Sequence, residues 1–175
     1  MKAVDLKNPV LVGHSNGGRI IMKLCGEKML NPPKIIFIDA AGIKAKPSFK
    51  KTVKIKTFKT VKWFLTLPGI KNVSEGLLTE ARNYFGSADY TAAHPVMRST
   101  MVNLINEDLT PIVKNISCPT LLIWGDKDTD TPLYMAKKLE SLIDDTGLCI
   151  LKDTGHFSFA QKPYEAQAII KSFLS

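Results

Sequence analysis

The sequence predicts an α/β fold: a parallel sheet of about four strands with flanking helices, plus a helical insertion in the middle. Three observations carry this. Short apolar runs recur, and most are followed by a stretch of helical periodicity. The runs are continuous rather than alternating, as in strands buried on both faces. The strand–helix alternation stops after Gly42 and resumes at Pro119, with helical patterning between.

Val10-Leu11-Val12 reads as a strand ended by Gly13. Arg19 to Leu30 follows as a helix, stopped by Asn31-Pro32-Pro33, since proline cannot continue one. Lys34 to Asp39 is a second buried strand, closed by Ala40-Ala41-Gly42. Strand, helix and strand in that order imply a right-handed parallel unit. From Lys44 to about Asn115 no strand signal appears. Phe58, Val61, Phe64 and Leu65 fall at helical spacing with lysines between them, and Pro68-Gly69 breaks that helix. Leu77–Phe85 and Val96–Asn106 read as two more. Thr120 to Trp124 is a strand ending at Gly125. Thr131 is an expected N-cap with Pro132 at the first helical position, in a helix running to about Ile143. Gly147 to Leu151 is the last strand, and Pro163 to Leu174 the closing helix. Residues 1–42 and 116–175 are thus expected to form one core around an insertion at 43–115.

A chain of 175 residues with 45% hydrophobic content can bury a substantial core. No window approaches the roughly 18 apolar residues of a membrane span. The opening MKAVDLKNPV has an early acid and no apolar stretch of the secretory kind. Cys25, Cys118 and Cys149 are scattered, without metal-like spacing. These features lead to the expectation of a cytoplasmic protein with no metal or organic cofactor. The net charge of +8 sits in one place. Ala40 to Ser74 holds every one of its charges as lysine, so the rest of the chain is close to neutral. Lys44 to Lys62 invites a nucleic-acid or membrane-surface reading. It lacks aromatic interleaving suited to base stacking, and Phe58, Trp63 and Phe64 fall with the apolar residues of the helix. The solvated face of a helix is the preferred account, with no nucleic-acid partner; a basic surface there would steer anionic substrates.

The stretch VLVGHSNGGRI, Val10 to Ile20, carries the chemistry. Gly13-His14-Ser15-Asn16-Gly17 fits G-x-S-x-G between a strand and a helix. A serine at so tight a turn is held in a strained conformation, and side chains two residues before and after it are expected to collide, hence Gly13 and Gly17. The strain exposes the hydroxyl at the carboxyl end of the sheet, where open α/β folds bind ligands. The backbone N–H of Asn16 then opens a helix and can hold an oxyanion. A serine hydroxyl needs a base, and the base an orienting carboxylate. His156 follows the last strand at the same end of the sheet. His94 lies in the insertion, and His14 is read as structural, pointing away from the serine. For the acid, Asp126, Asp128 and Asp130 all follow the third strand. Asp126 sits on the turn and Asp130 is placed to help cap the next helix, so Asp128 is preferred, with Asp39 an outside candidate.

These segments resemble the α/β-hydrolase family: VLVGHSNGG, KIIFIDAAG, PTLLIWGDKDTDTP and the DTGHF loop with the final helix. The resemblance implies the order nucleophile, acid, base as Ser15, Asp128, His156, with the acid third after the strand-ending glycine. It implies that residues 43–115 take the place of the family's cap, and that esterases, lipases, thioesterases, serine peptidases and carbon–carbon bond hydrolases are all open. Family members place several strands before the nucleophile, including a loop that supplies a second oxyanion N–H, whereas here the serine is residue 15. The first strand is therefore expected at a sheet edge, apolar and unprotected. Self-association through it, or pairing with a missing N-terminal part, is expected beside a small-molecule acyl substrate. The alternative is a catalytically weak remnant acting by ligand or partner binding.

Overall fold

A computed structural model describes residues 7–44 and 94–175, with Val53, Lys56, Thr57, Thr60 and Trp63 between them. The chain divides into two units, Met1–Ala45 with Glu107–Ser175, and Lys46–Asn106. In the first unit β1 (Leu11–His14), β2 (Ile35–Ile38), β3 (Thr120–Gly125) and β4 (Thr146–Leu151) form one sheet in the order β1-β2-β3-β4. All three pairings are parallel, with Leu11 opposite Ile35, Ile35 opposite Thr120 and Thr120 opposite Thr146. A parallel sheet brings every strand's carboxyl end to one edge, and this puts the four loops after the strands side by side.

The central strands β2 and β3 bury both faces, as their continuous apolar runs require, whereas Val12 of β1 and Ile150 of β4 are exposed on the edge strands. Ile35, Phe37, Leu122 and Trp124 face one way, against Met22 and Cys25 of α1 (Asn16–Gly26) and Met135, Ala136 and Leu139 of the helix after β3. Ile36, Ile38, Leu121 and Ile123 face the other way, against Ala166, Ile169, Ile170 and Phe173 of the closing helix. The two-residue alternation in strands and the three-to-four spacing in helices produce these layers together.

α1 starts at Asn16 and ends at Gly26, earlier at both ends than Arg19–Leu30. Its entry is immediate because Ser15 turns the chain with φ 49° and ψ −118°. Its exit precedes Asn31-Pro32-Pro33 because Lys28 takes φ 59° and the amides of Met29 and Leu30 both return to the Leu24 carbonyl. The Arg19 guanidinium, buried in this helix, donates to the Glu107 carbonyl at 2.9 Å.

In the second unit α2 spans Pro95–Asn106, close to the expected helix at Val96. Val53, Lys56, Thr57, Thr60 and Trp63 are helical and exposed. The expected helix at Leu77–Phe85, the break at Pro68-Gly69, the apolar set Phe58, Val61, Phe64 and Leu65, and most of the lysine-rich segment lie outside the described residues. The short α3 (Thr110–Val113) falls in the first unit, where Leu109, Val113 and Ile116 are core residues although the sequence reading carried the insertion to residue 115.

α4 (Tyr134–Glu140) begins after Leu133 with no side-chain cap, which corrects the assignment of Thr131 as N-cap. The Thr131 hydroxyl is spent on the loop instead, as the next subsection describes. α5 (Ser158–Gln161) and α6 (Pro163–Leu174) close the chain, and α6 has the expected limits. No described helix is long and apolar enough to cross a membrane.

Candidate active site

Ser15 is a non-glycine residue at positive φ, a conformation that costs about 1–3 kcal/mol and persists only where its surroundings impose it. Its N–H donates to the Ile38 carbonyl at 3.2 Å, and its carbonyl accepts from the amides of Gly18, Arg19 and Ala41. The turn is thus tied to the end of β2. The close packing falls differently from the G-x-S-x-G expectation. A Cβ on Gly13 would lie 2.7 Å from the Gly18 nitrogen, and one on Gly18 would lie 2.3 Å from the Ala40 Cβ. A Cβ on Gly17 would meet nothing within 4 Å. The second crowded glycine is therefore Gly18, because the helix runs over Ala40 one residue later than the motif spacing suggests.

His156 Nε2 lies 2.9 Å from Ser15 Oγ, and His156 Nδ1 lies 2.9 Å from Asp128 Oδ2. A carboxylate accepts only, so Nδ1 carries the proton and, in the neutral ring, Nε2 is free to accept from the serine hydroxyl. Asp128 is 5% exposed. Its Oδ1 accepts from the amides of Asp130 at 2.8 Å and Thr131 at 2.9 Å. Its Oδ2 lies 2.6 Å from the Thr131 hydroxyl, which also lies 3.0 Å from the Asp39 carbonyl. A buried carboxylate that meets this many donors is fixed in direction. Asn16 is the first residue of α1, so its N–H has no acceptor within the helix.

Asp39, the outside candidate, is fully buried and does something else. Its Oδ1 accepts from the Gly125 amide at 2.8 Å, and its Oδ2 from the Ser158 amide at 3.1 Å and hydroxyl at 2.6 Å. It joins the ends of β2 and β3 to the segment just after His156. Burial pushes its carboxyl above the usual range; the Ser158 and Gly125 hydrogen bonds pull it down, and the nearby Asp128 charge adds to the rise. An acid directly after a buried strand, at the carboxyl edge of the sheet, is the signal that could have suggested such a tie. Asp126 pairs loosely with Lys152 at 3.9 Å. Asp130 offers its amide to Asp128. His94 precedes α2 in the other unit and is exposed. His14 is not turned away from the site: its ring reaches the histidine loop, with Nε2 at 2.7 Å from the His156 carbonyl.

Ligand atoms of Asp128, Asp130 and His156 lie within 4.8 Å of one another, close enough for a metal ion. Asp128 and His156 already spend theirs on each other. A cavity of ≈ 300 Å³ lined by Cys25, Lys28, Asn31, Asn115 and Cys118 sits at the amino ends of the strands, away from Ser15.

No protein-family model matches the chain. The uncharacterized hydrolase YugF of Bacillus subtilis (strain 168) is 25% identical over 189 residues, which cover 99% of this chain and 68% of that one. Among solved structures, a serine hydrolase involved in carbazole degradation (CarC) superposes with a TM-score of 0.65 at 22% identity, covering 99% of this chain and 66% of that one. An esterase from Exiguobacterium antarcticum gives 0.65 at 21% identity, covering 99% and 69%. The chain therefore spans about two thirds of the length of these proteins. The fold, together with these hydrolase relatives, supports a hydrolase. With its parallel sheet and flanking helices, the chain has the fold of the α/β-hydrolases.

Proposed function

We propose that the protein is a serine hydrolase that cleaves a carboxylic ester or related acyl bond through an acyl-enzyme. The observation that carries this reading is the unbroken line from Ser15 Oγ through His156 to Asp128, with 2.9 Å at each step. Ser15 attacks the carbonyl carbon while its proton passes to His156 Nε2. The negative oxygen of the tetrahedral species lies against the Asn16 N–H. The bond to the leaving group then breaks, and His156 returns the proton to the departing oxygen. Water, deprotonated by the same nitrogen, clears the acyl group from Ser15. Asp128 keeps the imidazole in one tautomer and balances its charge when protonated. Residues 43–115 take the cap's position in the chain order in this reading, and the three free cysteines fit a reducing, cytoplasmic setting. No metal or organic cofactor takes part.

A second reading keeps the fold and drops the catalysis: a weak remnant that works by binding a ligand or partner. It draws on β1, an edge strand of the sheet with Val12 55% exposed, a surface suited to pairing with another strand or copy. Turnover of a p-nitrophenyl ester series separates the two. The first reading expects hydrolysis that disappears in Ser15→Ala while circular dichroism is unchanged. Equal rates in wild type and variant would reject it.

A further inference from the structure

We propose that His14 is a positioning residue that holds His156 at Ser15; the role rests on the serine-hydrolase reading above. The sheet order creates the need. β1, which runs into Ser15, and β4, which precedes the His156 loop, are its two opposite edges, with β2 and β3 between. The loop after β4 must cross the ends of both middle strands to reach the serine. It is tied down at each one it passes. Over β3, a Cβ on Gly125 would come 2.4 Å from the carbonyls of Thr154 and Gly155, so only a glycine lets the loop lie this low, and the Lys127 amide donates to Thr154. Over β2, Asp39 receives the amide and hydroxyl of Ser158.

Over β1 the tie is His14. Its Nε2 lies 2.7 Å from the His156 carbonyl, and a carbonyl only accepts, so the ring must donate there from Nε2–H. Among the described residues no main-chain amide reaches that carbonyl. The His14 ring also packs 4.9 Å from the His156 ring, 5.1 Å from Phe157 and 5.2 Å from Phe159. Asp128 at 2.9 Å and the Thr131 hydroxyl at 3.3 Å both meet the His156 ring at Nδ1, a single point about which the imidazole can swing. Fixing the backbone carbonyl of the same residue removes that freedom and sets the distance from Nε2 to Ser15. Because His14 is the chain neighbour of Ser15, base and nucleophile are referred to one rigid strand end. Misplacement by about 1 Å costs roughly a hundredfold in rate.

The test uses the whole chain with 15N-labelled histidine, and the variants His14→Gln, which keeps an amide donor, and His14→Phe, which keeps the ring contacts alone. In wild type the ring shifts must show His14 protonated at Nε2; a proton at Nδ1 overturns the proposal whatever the variants do. The downfield proton of His156 Nδ1, which reports its bond to Asp128, should persist in His14→Gln and broaden or vanish in His14→Phe. With p-nitrophenyl acetate, kcat should fall about ten- to hundredfold in His14→Phe with KM within about twofold, and largely recover in His14→Gln. An unchanged resonance and rate in His14→Phe, or equal losses in both variants, contradicts the role. Should His14→Phe fail to fold, the wild-type tautomer and the His14→Gln spectrum decide. Should wild type show no Ser15-dependent turnover, the hydrolase reading fails on its own, and the resonances alone decide whether His14 holds the loop.

Discussion

The two adjacent glycines of the serine turn should respond to alanine in opposite directions. A methyl on Gly18 would sit 2.3 Å from the Ala40 Cβ and 3.2 Å from its Cα. Carbon atoms prefer about 3.5–4.0 Å, so α1 or the Ala40 segment must retreat by about 1 Å. Neither has room. Ala40 is 1% exposed, and the next residue donates its amide to the Ser15 carbonyl. Overpacking of this kind costs about 1–3 kcal/mol, and the fixed partner places it at the upper end. Alanine's better helix propensity returns at most about 1 kcal/mol, for a net loss of about 2 kcal/mol. A methyl on Gly17 meets nothing within 4 Å, so only the propensity gain remains, at most about 1 kcal/mol. Urea unfolding followed by circular dichroism should show Gly18→Ala shifted to a lower midpoint and Gly17→Ala unshifted or higher, with equal slopes. Equal destabilisation by both would refute the packing argument and restore the motif-spacing account.

Three further outcomes follow. Asp39 binds its proton more tightly folded than unfolded, so its contribution to stability is present below the ordinary carboxyl value of 3.8 and is lost as pH rises through its raised folded value; between about pH 3 and 7 wild type should lose stability relative to Asp39→Asn, and a relative gain would contradict it. Asp128→Asn keeps an oxygen for the Asp130 and Thr131 amides but presents an N–H to His156, so kcat should fall about 10⁴-fold with the fold intact; a loss under tenfold would remove Asp128 from the orienting role. The Cys25 thiol, pushed up to about 11 by burial and then by Cys118, should resist iodoacetamide at neutral pH, and the part-exposed Cys149 should alkylate first in a mass-resolved time course.

The strands were legible because a parallel sheet writes itself as short continuous apolar runs, and those at Val10, Lys34, Thr120 and Gly147 all became strands. The residues that converge at the strand ends could be ordered from the same pattern. Features resting on a hydrogen bond between distant segments were not legible. Thr131-Pro132 looks like a helix start, but the hydroxyl is drawn to Asp128 and the carbonyl of Asp39, ninety-two residues away. Asp39 has no sequence sign of Ser158, and His14 none of the His156 carbonyl. The crowding expected at Gly13 holds, but that at Gly17 does not, because local motif spacing cannot show that Ala40 lies against Gly18 rather than Gly17.

The central claim is that Ser15 is a nucleophile activated by His156. Intact-mass reading of the purified chain after a fluorophosphonate, beside Ser15→Ala, tests it most directly. The account predicts one adduct per chain in wild type and none in the variant, with both folded. A folded wild-type chain that stays unlabelled, or a variant that labels equally, would contradict it.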